Sequence, residues 1–177
     1  VLTGGGTADA ALAAMAMLFA HSLFKACLFL VVGAIDHATG TRDLRKLTGL
    51  RQRMPVLFWV SVIAAMSMAG LPPMLGFVGK EAAYGAFLSG APSHASLVLP
   101  VIVVGSAFTL AYSVRFVLGA FSDRPDAAPL EVHHLGRTIV AVPALLAGLT
   151  LVLGPASALL QGPLVAYADT VGPTPVT

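Results

Sequence analysis

The chain consists of long apolar runs separated by polar loops. Apolar residues dominate positions 10–35, 54–88, 97–120 and 138–160. These runs are continuous and do not alternate with polar residues, which is typical of membrane helices and not of barrel strands. A helix needs about 20 apolar residues to cross a hydrocarbon core about 30 Å thick. The pattern therefore predicts an all-α integral membrane protein with four transmembrane helices.

The second run, residues 54–88, is interrupted in its middle by the sequence GLPP at positions 70–73. At about 1.5 Å rise per residue, the run is too long for one straight crossing and too short for two crossings with a loop. We therefore interpret it as one discontinuous transmembrane helix. A broken span is tolerated only where the freed backbone is buried in protein or lines a wet cavity. The break thus predicts a functional site.

Composition excludes a soluble domain and several kinds of chemistry. Of the 177 residues, 57% are hydrophobic and 10% are charged, whereas a soluble domain has about 25% charged residues. The net charge of +2 does not suggest a nucleic-acid partner. The single cysteine, Cys27, cannot form an internal disulfide and is predicted to be a buried thiol. The sequence has no phosphate-binding glycine loop and no metalloprotease or hydrolase motif, so we expect neither a cofactor nor a metal.

The positive charges predict which loops are cytoplasmic. Loop 36–53 carries five Lys and Arg residues, and loop 121–137 carries Arg124 and Arg137. If 54–88 crosses once, all eight Lys and Arg residues other than Lys25 and Lys80 lie at or near one face, which the positive-inside rule makes cytoplasmic.

The remaining segments, 1–9, 89–96 and 161–177, have no Lys or Arg and are predicted to be external. We expect a multi-pass protein of the cell inner or plasma membrane, surrounded by the lipid bilayer. The first residue is not methionine and both ends look cut, so we interpret the chain as a fragment of a longer protein.

The first span carries His21 and Lys25. A charged lysine in the middle of a bilayer costs about 2.5–3.5 kcal/mol on insertion scales, and Lys25 is too deep to reach the interface easily. His21 lies four residues earlier, on the same face of the helix. Histidine has two ring nitrogens and titrates in the physiological range, so it can pass protons. The pair predicts a proton relay, although a membrane histidine can also be a packing residue.

Lys80 and Glu81 follow the break in the second span. A lysine beside broken helix backbone is a candidate for moving a proton or a cation. Adjacent helical residues point about 100° apart, so Glu81 does not face Lys80 well. The residues leave two roles open for Glu81, that of a relay acid and that of a counter-charge.

Three sequences resemble one family of membrane proteins. HSLFKACLFLVVG, at 21–33, resembles the lysine-bearing helix of the antiporter-like subunits of respiratory complex I and of Mrp-type antiporters. SMAGLPPMLGFVGKE, at 67–81, resembles the broken helix of the same superfamily. GAIDHATGTRDLRKLTGL, at 33–50, resembles the large A subunit of Mrp-type Na+/H+ antiporters. The resemblance covers residues 10–120 well and the remainder loosely.

The resemblance implies a fold of two inverted helical repeats, of which this chain holds the end of the second repeat. It implies proton-relay roles for His21, Lys25 and Lys80, and a structural or gating role for Arg115. Many complex I relatives have a second histidine one turn before His21, where this chain has Met17.

The leading interpretation is a subunit of a multi-subunit antiporter that exchanges protons for Na+ or another monovalent cation. Other membrane subunits are then its partners, and it is a transporter rather than an enzyme. The first alternative is a proton-pumping subunit of a complex I-like NADH:quinone oxidoreductase. The second is a membrane scaffold without a transport role, in which Lys25 and Lys80 are dispensable.

Overall fold

A computed structural model describes residues 8–90, 95–125 and 130–160, together with 162, 165 and 166. The predicted external segments 1–9, 89–96 and 161–177 lie largely outside these residues. All regular structure in the described ranges is helical, and none of these residues is in a strand. The predicted all-α class is therefore confirmed for this part of the chain.

Six helices follow one another along the chain. They are α1 (Ala8–Thr39), α2 (Leu50–Arg53), α3 (Pro55–Ala69), α4 (Leu75–Gly90), α5 (Ala95–Phe121) and α6 (Arg137–Leu153). Helix α1 continues four residues beyond the predicted end of the first span. It ends at Thr39, and the next residue, Gly40, has a φ of 67°, in the left-handed region that glycine tolerates at helix ends. Helix α2 lies within a segment predicted to be a loop.

Two of the described helices are long and apolar enough to cross a membrane alone, Ala11–Thr39 within α1 and Pro100–Phe121 within α5. Helices α3 and α6 are apolar but shorter. The second predicted span is divided into α3 and α4, and the fourth ends as a regular helix at Leu153 instead of residue 160. Length and hydropathy thus identify two candidate spans and not four.

Helix α1 lies at the centre of the bundle and packs against α3, α4 and α6. Small buried residues on its inner face, such as Ala20 and Ala34, let these helices approach closely. Cys27 is buried, as predicted, and its thiol donates a hydrogen bond to the Pro143 carbonyl of α6 at 3.2 Å. Helix α5 packs on the outer side of α3 and leaves many apolar side chains exposed.

The two polar loops lie together at one end of the bundle. The backbone N–H of Arg124 donates to the Thr48 hydroxyl at 2.9 Å, and the N–H of His133 donates to the Ala38 carbonyl at 2.8 Å. The Arg53 guanidinium donates to the Leu130 carbonyl. The loops that the charge pattern predicts on one side of the membrane are therefore in direct contact.

Among the described residues, two ion pairs lie at this end of the bundle. Arg42 donates to Asp36 at 2.8 and 2.9 Å, so the acid near the end of α1 has a partner in the next loop. Arg45 donates to Asp43 at 3.1 Å, and these hydrogen bonds hold the pKa of the Asp43 carboxyl below its usual value. Both pairs are exposed, and pairs of this kind contribute little stability.

Candidate functional site

The candidate site is the break between α3 and α4. Helix α3 ends at Gly70, whose φ is 78° and whose N–H bonds to the carbonyls of Met66 and Ser67. The next N–H, from Leu71, also reaches the Met66 carbonyl, at 3.0 Å. Pro72 and Pro73 follow, and neither has an N–H with which to continue the helix. Helix α4 then begins at Leu75.

Lys80 reaches back from α4 to the end of α3. Its Nζ donates a hydrogen bond to the Ala69 carbonyl oxygen at 2.7 Å, and the side chain is half-buried. Ala69 is the last residue of α3, where unpaired carbonyls and the helix dipole favour a positive charge. The amine therefore lies at a point of α3 that stabilises a cation.

Two observations favour glycine at residue 70, beside this amine. Gly70 has a positive φ, and a Cβ there would lie 2.5 Å from Cδ of Lys80. A side chain at residue 70 would thus strain the backbone and push the lysine side chain away from its present position. Ala69, Gly70 and Lys80 are therefore in direct contact at the end of α3.

Helices α1 and α4 touch one residue before Lys80. A Cβ at Gly79 would lie 3.2 Å from Cα of Met17, so the two backbones approach closely here. Met17 is the position at which the resemblance anticipates a second histidine in complex I relatives. In this chain the thioether of Met17 occupies that place, and the helix that carries His21 and Lys25 passes against α4 one residue before Lys80.

The other predicted relay residues, His21 and Lys25, form no described contact with the break. Lys25 is half-buried, and His21 is exposed with its ring edge against Phe24, the ring centres being 5.0 Å apart. Within the described ranges, no hydrogen bond or ion pair joins His21, Lys25 and Lys80 to one another. A fully buried position is seen for none of the three, and their shared role stays a prediction.

Glu81 and Arg115 form no described contact with the break. Both are exposed, Glu81 on α4 and Arg115 on α5. Tyr84, one turn after Lys80, hydrogen-bonds to Ser106 of α5 at 3.1 Å and so ties α4 to α5. Among the described residues, no three His, Cys, Asp or Glu side chains come together as metal ligands would.

Sequence reasoning missed two hydroxyl residues at the break. The Ser67 and Thr150 hydroxyls are 2.7 Å apart and both side chains are buried. They are far apart in the sequence, and serine or threonine within an apolar run is common. No local signal distinguishes this pair from other hydroxyl residues of the chain.

A bundle of apolar helices with a lysine on a broken helix is typical of membrane proteins that move ions. Residues 1–109 match the family described as NADH:quinone oxidoreductase/Mrp antiporter, TM. The chain belongs to this family, which confirms the resemblance predicted from its sequence.

Several curated relatives are named as antiporter subunits. The chain is 40% identical over 151 residues to the Na(+)/H(+) antiporter subunit A1 of Staphylococcus aureus (strain JH9), covering 80% of this chain and 19% of that protein. It is also 40% identical over 169 residues to subunit A1 of Staphylococcus haemolyticus (strain JCSC1435), covering 89% of this chain and 21% of that protein. The chain thus spans about a fifth of the length of these relatives.

Two solved structures have the same fold. The Mrp complex from Dietzia sp. DQ12-45-1b matches with a TM-score of 0.74 and 42% identity, over 94% of this chain and 18% of the matched chain. Respiratory complex I from Thermus thermophilus with bound Aureothin matches with a TM-score of 0.64 over 91% of this chain and 37% of the matched chain. The second match, at 24% identity, shows the fold alone.

Proposed function

We propose that this chain is part of a membrane subunit of a multi-subunit Na+/H+ antiporter, in which it carries a segment of the proton path. The observation that carries the proposal is the Lys80 amine, which lies on the Ala69 carbonyl at the break between α3 and α4. The names of the curated relatives support exchange of Na+ for protons, and the Mrp complex supports other membrane subunits as partners.

In this proposal, α1, the discontinuous pair α3–α4, α5 and α6 are four membrane-spanning units at the end of the second inverted repeat. The subunit is then a multi-pass protein of the cell inner or plasma membrane. The contact between the two polar loops supports this arrangement, because one crossing through α3–α4 and a return through α5 would bring both loops to the same side of the membrane.

The proposed mechanism uses repulsion between two amines. Lys25 and Lys80 carry positive charge in adjoining helices, and two cations in surroundings of low dielectric constant repel each other. A proton on one amine therefore disfavours a proton on the other, so that proton occupancy at the two sites is linked. An ion gradient that changes the proton occupancy of one amine can then drive a proton off the other. His21 is proposed to relay protons. Glu81 is proposed to act as a relay acid or a counter-charge, and Arg115 as a gate.

An ion-exchange assay tests the function. The full-length protein is expressed with its partner subunits in a bacterial host that lacks its own Na+/H+ antiporters, and everted vesicles are acidified by respiration. We expect Na+ to collapse part of the pH gradient, as reported by a fluorescent amine. Assembled complex that shows no response to Na+, K+ or Li+ contradicts the proposal. Loss of NADH:quinone oxidoreductase activity on deletion of the subunit would favour the complex I alternative instead.

Cysteine labelling tests the predicted sidedness. In a Cys27→Ala background, Thr41→Cys in the first polar loop should resist an impermeant thiol reagent in intact cells, because that loop is cytoplasmic. Ser93→Cys should be labelled; Ser93 lies outside the described residues, and only the charge pattern supports its external position. Permeabilised cells provide the control, since both cysteines should then react. Labelling of Thr41→Cys in intact cells, with Ser93→Cys unlabelled, would overturn the topology.

A further inference from the structure

Helix α6 contacts both halves of the broken helix, although it lies beyond residues 1–109 that match the family. Its Thr150 is buried and places its hydroxyl 2.7 Å from the hydroxyl of Ser67, in the last turn of α3. One turn later, Gly154 directly follows the last residue of α6, and a Cβ there would overlap the Pro73 carbonyl oxygen. The end of α6 therefore lies directly on the break.

Ser67 links this helix to α4 as well. Its hydroxyl oxygen accepts a hydrogen bond at 3.2 Å from the N–H of Gly76, in the first turn of α4. The first N–H groups of a helix have no partner within the helix, so Ser67 satisfies one that would otherwise be unpaired. A Cβ at Gly76 would overlap the Ser67 carbonyl oxygen, which shows that the two backbones are in contact.

We propose that Thr150 is a positioning residue for Lys80. Its hydroxyl fixes Ser67, and Ser67 joins the end of α3 to the start of α4. Ala69 lies two residues after Ser67, and Lys80 lies one turn after Gly76. The same link therefore sets the distance between the Lys80 amine and the Ala69 carbonyl. This inference rests on the proposed role of Lys80 in proton transfer.

The alternative is that the pair only stabilises the bundle. A buried hydroxyl that loses its partner is destabilising, so a purely structural role would lower the amount of assembled protein. A positioning role predicts a different result, in which the assembled protein is present but exchanges slowly. The two roles are separated by measuring exchange per assembled complex.

The experiment uses the full-length protein in its assembled complex and the vesicle assay described above. Thr150→Val keeps the shape of the side chain and removes the hydroxyl, and we expect exchange per assembled complex to fall about tenfold. Thr150→Ser retains the hydroxyl and should exchange within about twofold of the parent. Ser67→Ala should reduce exchange at least as much as Thr150→Val, because it also removes the acceptor of the Gly76 N–H. The double variant should be no slower than Ser67→Ala, since the bond between Ser67 and Thr150 is already lost in that variant.

Ser113→Ala is the matched control. Ser113 is also buried, but among the described residues its hydroxyl bonds only within α5, to the Thr109 carbonyl at 2.7 Å, so exchange should stay at the parent rate. Parent-level exchange in Thr150→Val overturns the inference, as does a failure of Thr150→Ser to restore it. Loss of assembled protein in both Thr150→Val and Ser67→Ala also overturns it, since the pair then serves folding. Lys80→Ala separates failure of this inference from failure of the proposed function. If Lys80→Ala exchanges at the parent rate, the proposed function itself fails.

Discussion

Replacing Lys80 with alanine in the full-length protein is expected to lower cation/proton exchange by about 100-fold or more, while the complex still assembles. The amine is the only group on α4 that is seen to bond to the Ala69 carbonyl in the described part of the chain. Without it, no other described residue bonds to the carbonyl end of α3 with a group that can take up and release a proton. Exchange is measured in everted vesicles from the response of the pH gradient to Na+.

Two further variants sharpen this prediction. Lys80→Glu should also fail, because it places a negative charge against the partly negative carbonyl end of α3. Lys46→Ala provides the control, since Lys46 is an exposed lysine in the first polar loop and its removal should leave exchange unchanged. Retention of exchange by Lys80→Ala, at parent levels of assembled complex, would exclude a proton-carrying role for this residue.

Replacing Lys25 with alanine is expected to have an effect of similar size. Lys25 is a half-buried cation within α1, and in the described ranges it has no ion-pair partner that would explain it structurally. A cation in a membrane helix without such a partner is expected to serve ion movement. Lys25→Arg should also fail or be slow, because arginine keeps its charge but does not release its proton.

His21→Ala should impair exchange less than Lys25→Ala, because His21 is exposed and water can take its place in a relay. His37→Ala, which removes an exposed histidine near the end of α1, should have no effect and controls for the loss of an imidazole. Full exchange in Lys25→Ala vesicles would favour the scaffold interpretation, in which both lysines are dispensable.

The break could be predicted from sequence because its cause is local. Pro72 and Pro73 lack the N–H that a helix needs, and the surrounding apolar run is too long for one straight crossing. The all-α class follows similarly from continuous apolar runs. The ends of helices were less predictable: α1 continues to Thr39, whose hydroxyl bonds to the Ile35 carbonyl at 2.8 Å, while α6 ends at Leu153 just before the Gly154-Pro155 pair.

The partners of the candidate residues could not be predicted, because they depend on tertiary packing. The acceptor for Lys80 is the backbone carbonyl of Ala69, and no side chain in the sequence marks it. The Ser67–Thr150 pair joins residues of α3 and α6 that only the fold brings together. His21 lies on an apolar helix, and only the arrangement of the neighbouring helices leaves it exposed.

The central claim is that the break gives Lys80 a hydrated connection to Lys25. A cryo-electron microscopy structure of the complete complex, at a resolution that shows ordered water, tests it most directly. We predict water molecules within about 3 Å of Nζ of Lys80, continuing along the α1–α4 contact towards Nζ of Lys25. Apolar side chains filling the space between the two amines, or a Lys80 side chain facing lipid without water or a polar neighbour, would contradict the mechanism.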